Sequence, residues 1–117
     1  MRKRTYNNTM ETLANDMKIK ATEIAQLLKS IANPERLLIL CILSQDKLTV
    51  GELEEKLELS QSALSQHLAK LRNAKMVTTE RMGKFIYYEI LDPKIMKLFE
   101  TLHELYCKEE CTTDSKT

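Results

Sequence analysis

A chain of 117 residues holds one domain of ordinary size and not two. Charged residues at 30% and apolar residues at 43% exclude a disordered chain, and the longest unbroken apolar run, Leu37 to Leu43, is far below the ~20 residues of a membrane-spanning helix. The net charge of +1 is unevenly spread: residues 60–90 hold five basic against two acidic groups, and residues 45–59 two against five. A basic stretch inside a near-neutral chain is what a local phosphate-binding face leaves behind.

Residues 1–10 are basic and polar and read as a flexible arm. No apolar segment follows Met1-Arg2-Lys3-Arg4, so no secretory leader and a cytoplasmic location are expected. From Met10 to Ile31, Leu13, Met17, Ile24, Leu27, Leu28 and Ile31 recur at helical spacing. Asn33 then caps a second helix whose first position suits Pro34, because no N–H is needed there. This helix runs to about Ser44. It is apolar nearly all round, which predicts burial on several sides.

Thr49 and Glu52 form a capping box that opens a short helix carrying Leu53 and Leu57. Only Glu58-Leu59 separates it from the next helix, capped by Ser60 and running to about Asn73. Two helices so closely joined form a helix-turn-helix. The period then changes. Val77 to Arg81 and Phe85 to Ile90 are rich in β-branched and aromatic residues, and Met82-Gly83-Lys84 joins them as a hairpin. Asp92-Pro93 repeats the cap-and-proline signal and opens a last helix to about Glu110, with Ile95, Met96, Leu98, Phe99, Leu102, Leu105 and Tyr106 on its apolar stripe. Residues 112–117 read as a flexible tail. The expected fold is mainly α with a small β-hairpin: a winged helix-turn-helix over residues 11–111 with an extra helix at each end.

The helix after Ser60 has the chemistry of a DNA reader. A helix in a major groove needs short hydrogen-bonding side chains that reach base edges, and apolar groups behind to hold it on its domain. Gln61, Ser62, Ser65 and Gln66 supply the first, and Ala63, Leu64, Leu68 and Leu71 the second. Gln pairs bidentately with adenine, Ser reads base or phosphate, and Lys70, Arg81 and Lys84 suit phosphates. An amphipathic helix with a merely solvated polar face is the bland alternative. His67 borders the apolar stripe and is expected to make a structural hydrogen bond rather than a base contact.

Two segments carry a specific resemblance. Leu27 to Leu40, with its Asn33-Pro34-Glu35-Arg36 core, and Leu57 to Leu68 resemble the opening signature and the recognition helix of the ArsR/SmtB family of dimeric repressors. The likeness runs from about residue 20 to residue 107. It implies a homodimer built from the first and last helices and bound to double-stranded DNA at an inverted repeat.

The resemblance also bears on the signal. The family's metal sensors carry a Cys-x-Cys type motif before the recognition helix, whereas Val50 to Leu57 has neither Cys nor His. The four-ligand zinc set of the terminal helices is not matched by Asp92, Pro93, Lys94 and His103. No metal and no cofactor is therefore expected. Ile39-Leu40-Cys41 and Leu102 to Cys107 resemble the dithiol, sulfur- and redox-sensing branch of the family, the HlyU/BigR type. That branch implies a disulfide or polysulfide bridge between Cys41 and Cys107, formed by reactive sulfur species or an oxidant as inducer. Read as residues alone, Cys41 is equally a small buried hydrophobe, and Cys111 either resolves Cys107 or does nothing. A metal-sensing repressor and a redox-insensitive activator or anti-repressor stay open beside the redox reading. No phosphate loop, catalytic carboxylate pair or Ser-His-Asp pattern points to an enzyme.

Overall fold

The computed structural model describes the backbone of residues 2–108 and the side chains of residues 10–107, and the chain divides into two compact units after Ile31. The first unit is one helix, α1 (Arg2–Ile31). It takes in the stretch expected as an arm and begins well before Met10. The physical reason is that no Gly or Pro interrupts residues 2–31, so a helix nucleated by the apolar turns propagates backward at one hydrogen bond per residue. Leu13, Met17, Ile24 and Leu28 lie exposed along it.

The second unit follows the order α2 (Pro34–Leu43), β1 (Leu48–Thr49), α3 (Val50–Leu57), α4 (Gln61–Asn73), β2 (Val77–Met82), β3 (Phe85–Ile90) and α5 (Pro93–Leu102). Each helix starts where the sequence marks it. The Asn33 side chain accepts from the backbone N–H groups of Glu35 and Arg36, both at 3.0 Å. Thr49 and Glu52 close the capping box, Ser60 accepts from Ala63 N–H, and Asp92 accepts from Lys94 N–H. These bonds satisfy backbone donors that a helix N-terminus otherwise leaves unpaired. Glu58 ends α3 in the left-handed region at φ 55°, and this reversal lets α4 begin three residues later.

The hairpin pairs Val77 with Ile90 through Met82 with Phe85. Gly83 takes φ 66° at the first position of the two-residue turn, where an L side chain is strained. A third strand, β1, pairs Leu48 with Tyr88 and Thr49 with Tyr87, making an antiparallel sheet in the order β1-β3-β2. Two residues show no alternation, so the sequence does not betray β1.

The core joins all these elements. Ile39, Leu40 and Leu43 from α2 are buried with Leu53, Leu64, Leu68, Leu71, Val77, Ile90, Ile95 and Phe99. Burying one such side chain contributes about 1.5–3 kcal/mol. As its composition predicts, α2 is covered on several sides, by α3, α4, α5 and β3, while Leu37 and Leu38 stay exposed and Cys41 is half-buried. One sequence expectation needs correction: the α-helix α5 stops at Leu102, and His103–Lys108 continues as a π-helical segment. Closing i→i+5 instead of i→i+4 rotates the later side chains off the α-helical stripe. Ile95 and Phe99 are accordingly buried, whereas Leu105 and Tyr106 are exposed. Glu110 and Cys111, with the tail 112–117, lie outside the described residues.

Asn33→Ala removes both cap bonds to α2. Urea denaturation of this variant is expected to show a loss of about 1 kcal/mol with an unchanged m-value.

Candidate nucleic-acid interface and dithiol site

The polar face of α4 is set by its burial pattern. Leu64, Leu68 and Leu71 point into the core at i, i+4, i+7, which turns Gln61, Ser62, Ser65, Gln66 and Lys70 outward, all exposed. The Ser60 hydroxyl that caps α4 also lies 3.4 Å from the Ser62 hydroxyl. Four short hydrogen-bonding side chains thus share the first two turns, and Lys70 stands in the last.

The hairpin carries the other two candidates. Arg81 and Lys84 are both exposed near its tip. The Arg81 guanidinium donates to the Gly83 carbonyl at 3.3 Å, and the Lys84 ammonium lies 5.7 Å from the centre of the Phe85 ring. Each cation is therefore tethered beside the turn while its charge remains in solvent. Across the same sheet, Lys47 pairs with Glu80 at 3.1 Å and lies 6.0 Å from the Tyr87 ring, so its charge is partly neutralised.

His67 makes the structural bond expected of it. Its Nε2 meets the Glu35 carboxylate at 2.7 Å, and its Nδ1 is buried with no hydrogen-bond partner among the described residues. An Nε2–H donating to the carboxylate is the tautomer that fits this contact. The bond links the middle of α4 to the first turn of α2. Residue 35 was not singled out by the sequence reading, because a Glu in a first helical turn is ordinary.

The two candidate cysteines come together. Cys41 on α2 and Cys107 in the π-helical segment are both half-buried free thiols, and both residues line one cavity. The i→i+5 spacing of the π-helix stacks Cys107 one turn beyond Leu102, on the wall facing α2. Burial pushes the Cys41 thiol above its ordinary value of 9.0, and the neighbouring Cys107, by charge and by hydrogen bond, pushes it the same way. Both sulfurs line a cavity of about 270 Å³ with Leu37, Leu38, Phe99, Leu102 and Tyr106. No nitrogen or oxygen surface faces that cavity. Among the described residues no group of three or more His, Cys, Asp and Glu side chains is arranged to hold a metal.

A capped helix-turn-helix followed by a basic hairpin defines a winged-helix transcriptional regulator. Residues 33–79 match the family described as bacterial regulatory protein, arsR family. The chain is 45% identical over 94 residues to the biofilm growth-associated repressor of Agrobacterium fabrum strain C58, covering 80% of each. It is 44% identical over 93 residues to the transcriptional activator HlyU of Vibrio cholerae, covering 80% of this chain and 86% of that one. Among solved structures, HlyU from Vibrio vulnificus CMCP6 superposes with a TM-score of 0.76 at 46% identity, over 80% of this chain and 98% of that one. The chain belongs to the arsR family, and it is a DNA-binding transcriptional regulator of the HlyU and biofilm growth-associated repressor type rather than an enzyme. Among the described residues no helix is long and apolar enough to cross a membrane.

The Glu35–His67 contact is expected to couple the two helices energetically. A double-mutant cycle of Glu35→Ala and His67→Ala, read by denaturant unfolding, should return an interaction of about 1 kcal/mol. Strict additivity would show that the bond does not hold α4 to α2.

Proposed function

We propose that this protein is a cytoplasmic homodimeric repressor whose DNA binding is turned off when Cys41 and Cys107 become bridged. The observation that carries this reading is that two cysteines 66 positions apart in the chain line one cavity as free thiols. Cysteines serving only as core filler have no need to face one another.

The chemistry follows from their surroundings. Thiolates, not thiols, attack. Burial raises the Cys41 thiol, and we assign Cys107 as the attacking sulfur and Cys41 as the resolving one. With an organic persulfide RSSH, the Cys107 thiolate takes the outer sulfur and RSH leaves. Cys41 then attacks the Cys107 sulfur of the resulting persulfide. The S–S bond forms between the two cysteines, hydrosulfide departs, and the Cys41 proton goes to solvent. The two thiols lose two electrons, and the sulfane sulfur gains them. A polysulfide bridge retains sulfur atoms between the same two residues.

The DNA contacts are assigned to Gln61, Ser62, Ser65 and Gln66 for base edges and to Lys70, Arg81 and Lys84 for phosphates. Exposure of all seven and the tethering of the last two at the wing support this. The exposed apolar stripe of α1 and the exposed Leu105 and Tyr106 support dimerisation through the first and last helices. In a two-fold dimer the recognition helices enter successive major grooves, ~34 Å apart, which fits an inverted-repeat operator. A bridge from α2 to the end of α5 fixes the helix that holds α4 through Glu35 and His67. A preference of a few kcal/mol between the two arrangements is enough to release DNA. The name of the Agrobacterium relative favours repression, while that of the Vibrio cholerae relative keeps an activating mode as the second reading.

Two variants test the reading on DNA from upstream of the protein's own gene. Ser62→Ala with Gln66→Ala should weaken operator binding about 10- to 100-fold while the dimer persists by sedimentation. Wild-type affinity in that variant would remove this face of α4 from base reading. Cys41→Ser should bind the operator like the reduced wild type and fail to release it with polysulfide, followed by fluorescence anisotropy. Normal release would take Cys41 out of the switch.

A further inference from the structure

The hairpin leaves the core as it approaches its turn. Val77 and Ile90 are buried at its base, and from Glu80 to Ile86 every residue is exposed. The last cross-strand pair before the turn is nevertheless apolar: Met82 opposite Phe85, 46% and 51% exposed, with Ile86 exposed beside them. Apolar side chains scattered singly over a surface need no explanation. Three large ones between positions 82 and 86, on a projecting tip, form a patch, and such a patch marks a contact with a partner.

Charge selects the partner. Residues 81–86 hold two cations, Arg81 and Lys84, and no acidic group. Glu80, the nearest carboxylate along the hairpin, is already paired with Lys47. Arg81 is tied to the Gly83 carbonyl and Lys84 lies over the Phe85 ring, so both cations border the apolar pair. An apolar tip edged by positive charge complements a groove with phosphate rims and stacked bases between them. Reach agrees. Only residues 74–76 separate α4 from β2, so the hairpin leaves the domain beside the base-reading helix. Five residue steps from Val77 to Met82 span about 17 Å. That is about half of the ~34 Å turn between one major groove and the next, where the minor groove lies.

We propose that Met82 and Phe85 form an apolar wedge that enters the minor groove flanking each half-site and partly unstacks one base step, bending the operator. The inference rests on the placement of α4 in the major groove and adds a second mode of sequence recognition. Phe and Met side chains inserted from the minor groove open a step and kink the duplex toward the major groove. Pyrimidine–purine steps unstack most easily, so the wedge selects such a step without a hydrogen bond to it. Gly83 keeps the tip thin, since it brings no side chain to the turn.

The test uses the reduced full chain and the duplex upstream of the protein's own gene. 2-Aminopurine replaces adenine at single positions in the flanks of each half-site, and its fluorescence rises where stacking is lost. End-to-end energy transfer reads the bend. Wild type is expected to raise the fluorescence at one flanking step per half-site and to shorten the end-to-end distance. Met82→Ala with Phe85→Ala should abolish both signals and weaken binding about tenfold. Its salt dependence should stay that of wild type, because no phosphate contact is lost. Lys84→Ala should instead keep the fluorescence signal and lower the salt slope by ~0.9 for each contact removed. Both apolar side chains lie outside the core, so the double variant should keep the wild-type urea midpoint. Tight wild-type binding with every flanking 2-aminopurine still quenched overturns the wedge and leaves α4 as the base reader. A double variant that binds and bends DNA like wild type also overturns it, and gives the patch to a protein partner. Absence of salt-dependent binding in the wild type overturns both readings together.

Discussion

The packing of α2 is the constraint on which the rest of the second unit depends. Ile39, Leu40 and Leu43 are almost fully buried against four other elements, and Leu→Ala at such positions typically costs 2–5 kcal/mol. This inward face fixes what the rest of the helix can do. Its first turn places Glu35 against His67, and its outer side leaves Cys41 half-buried beside Cys107. One helix ten residues long therefore touches the core, α4 and the thiol pair at once. The cap on Asn33 matters for the same reason, because it sets where that helix begins.

Much of this was legible in the residues because the signals are local. Asn33-Pro34, Thr49 with Glu52, Ser60 and Asp92-Pro93 each mark a helix start through backbone hydrogen bonds made within three or four residues. The hairpin was equally plain, since Gly83 supplies the positive φ that a two-residue turn demands. What escaped the sequence is non-local or too short for a period. The strand β1 has two residues and exists only because Tyr87 and Tyr88 offer an edge to pair with. The exposure of Leu37 and Leu38 depends on which neighbours reach α2, and no count of apolar residues contains that. The π-helical segment has the composition of an ordinary helix, so its change of phase is invisible before the turns are built.

The candidate site divides along the same line. The polar residues of α4 were readable because the leucines opposite them fix the helix phase. Cys41 and Cys107 came from likeness to a dithiol branch, and their mutual approach comes only from the fold. The cavity they share was not foreseen at all. Its walls come from two helices far apart in sequence, and its leucines look like core residues until their exposure is known. Glu35 escaped for a related reason: its role lies in the partner it meets, not in its type.

The separation of the two thiols along the chain has a consequence for folding as well as for signalling. A covalent link from position 41 to position 107 closes a loop of about 65 residues, more than half the polypeptide. In the chain-entropy account such a loop restricts the unfolded ensemble by about 4 kcal/mol at room temperature. That is a large fraction of the 5–15 kcal/mol by which domains of this size are typically stable. The bridged protein, freed from DNA, would then unfold less readily than the reduced one. Under the proposed switch, the oxidised chain would persist as a folded store from which a cellular dithiol would regenerate the binding form, without new synthesis.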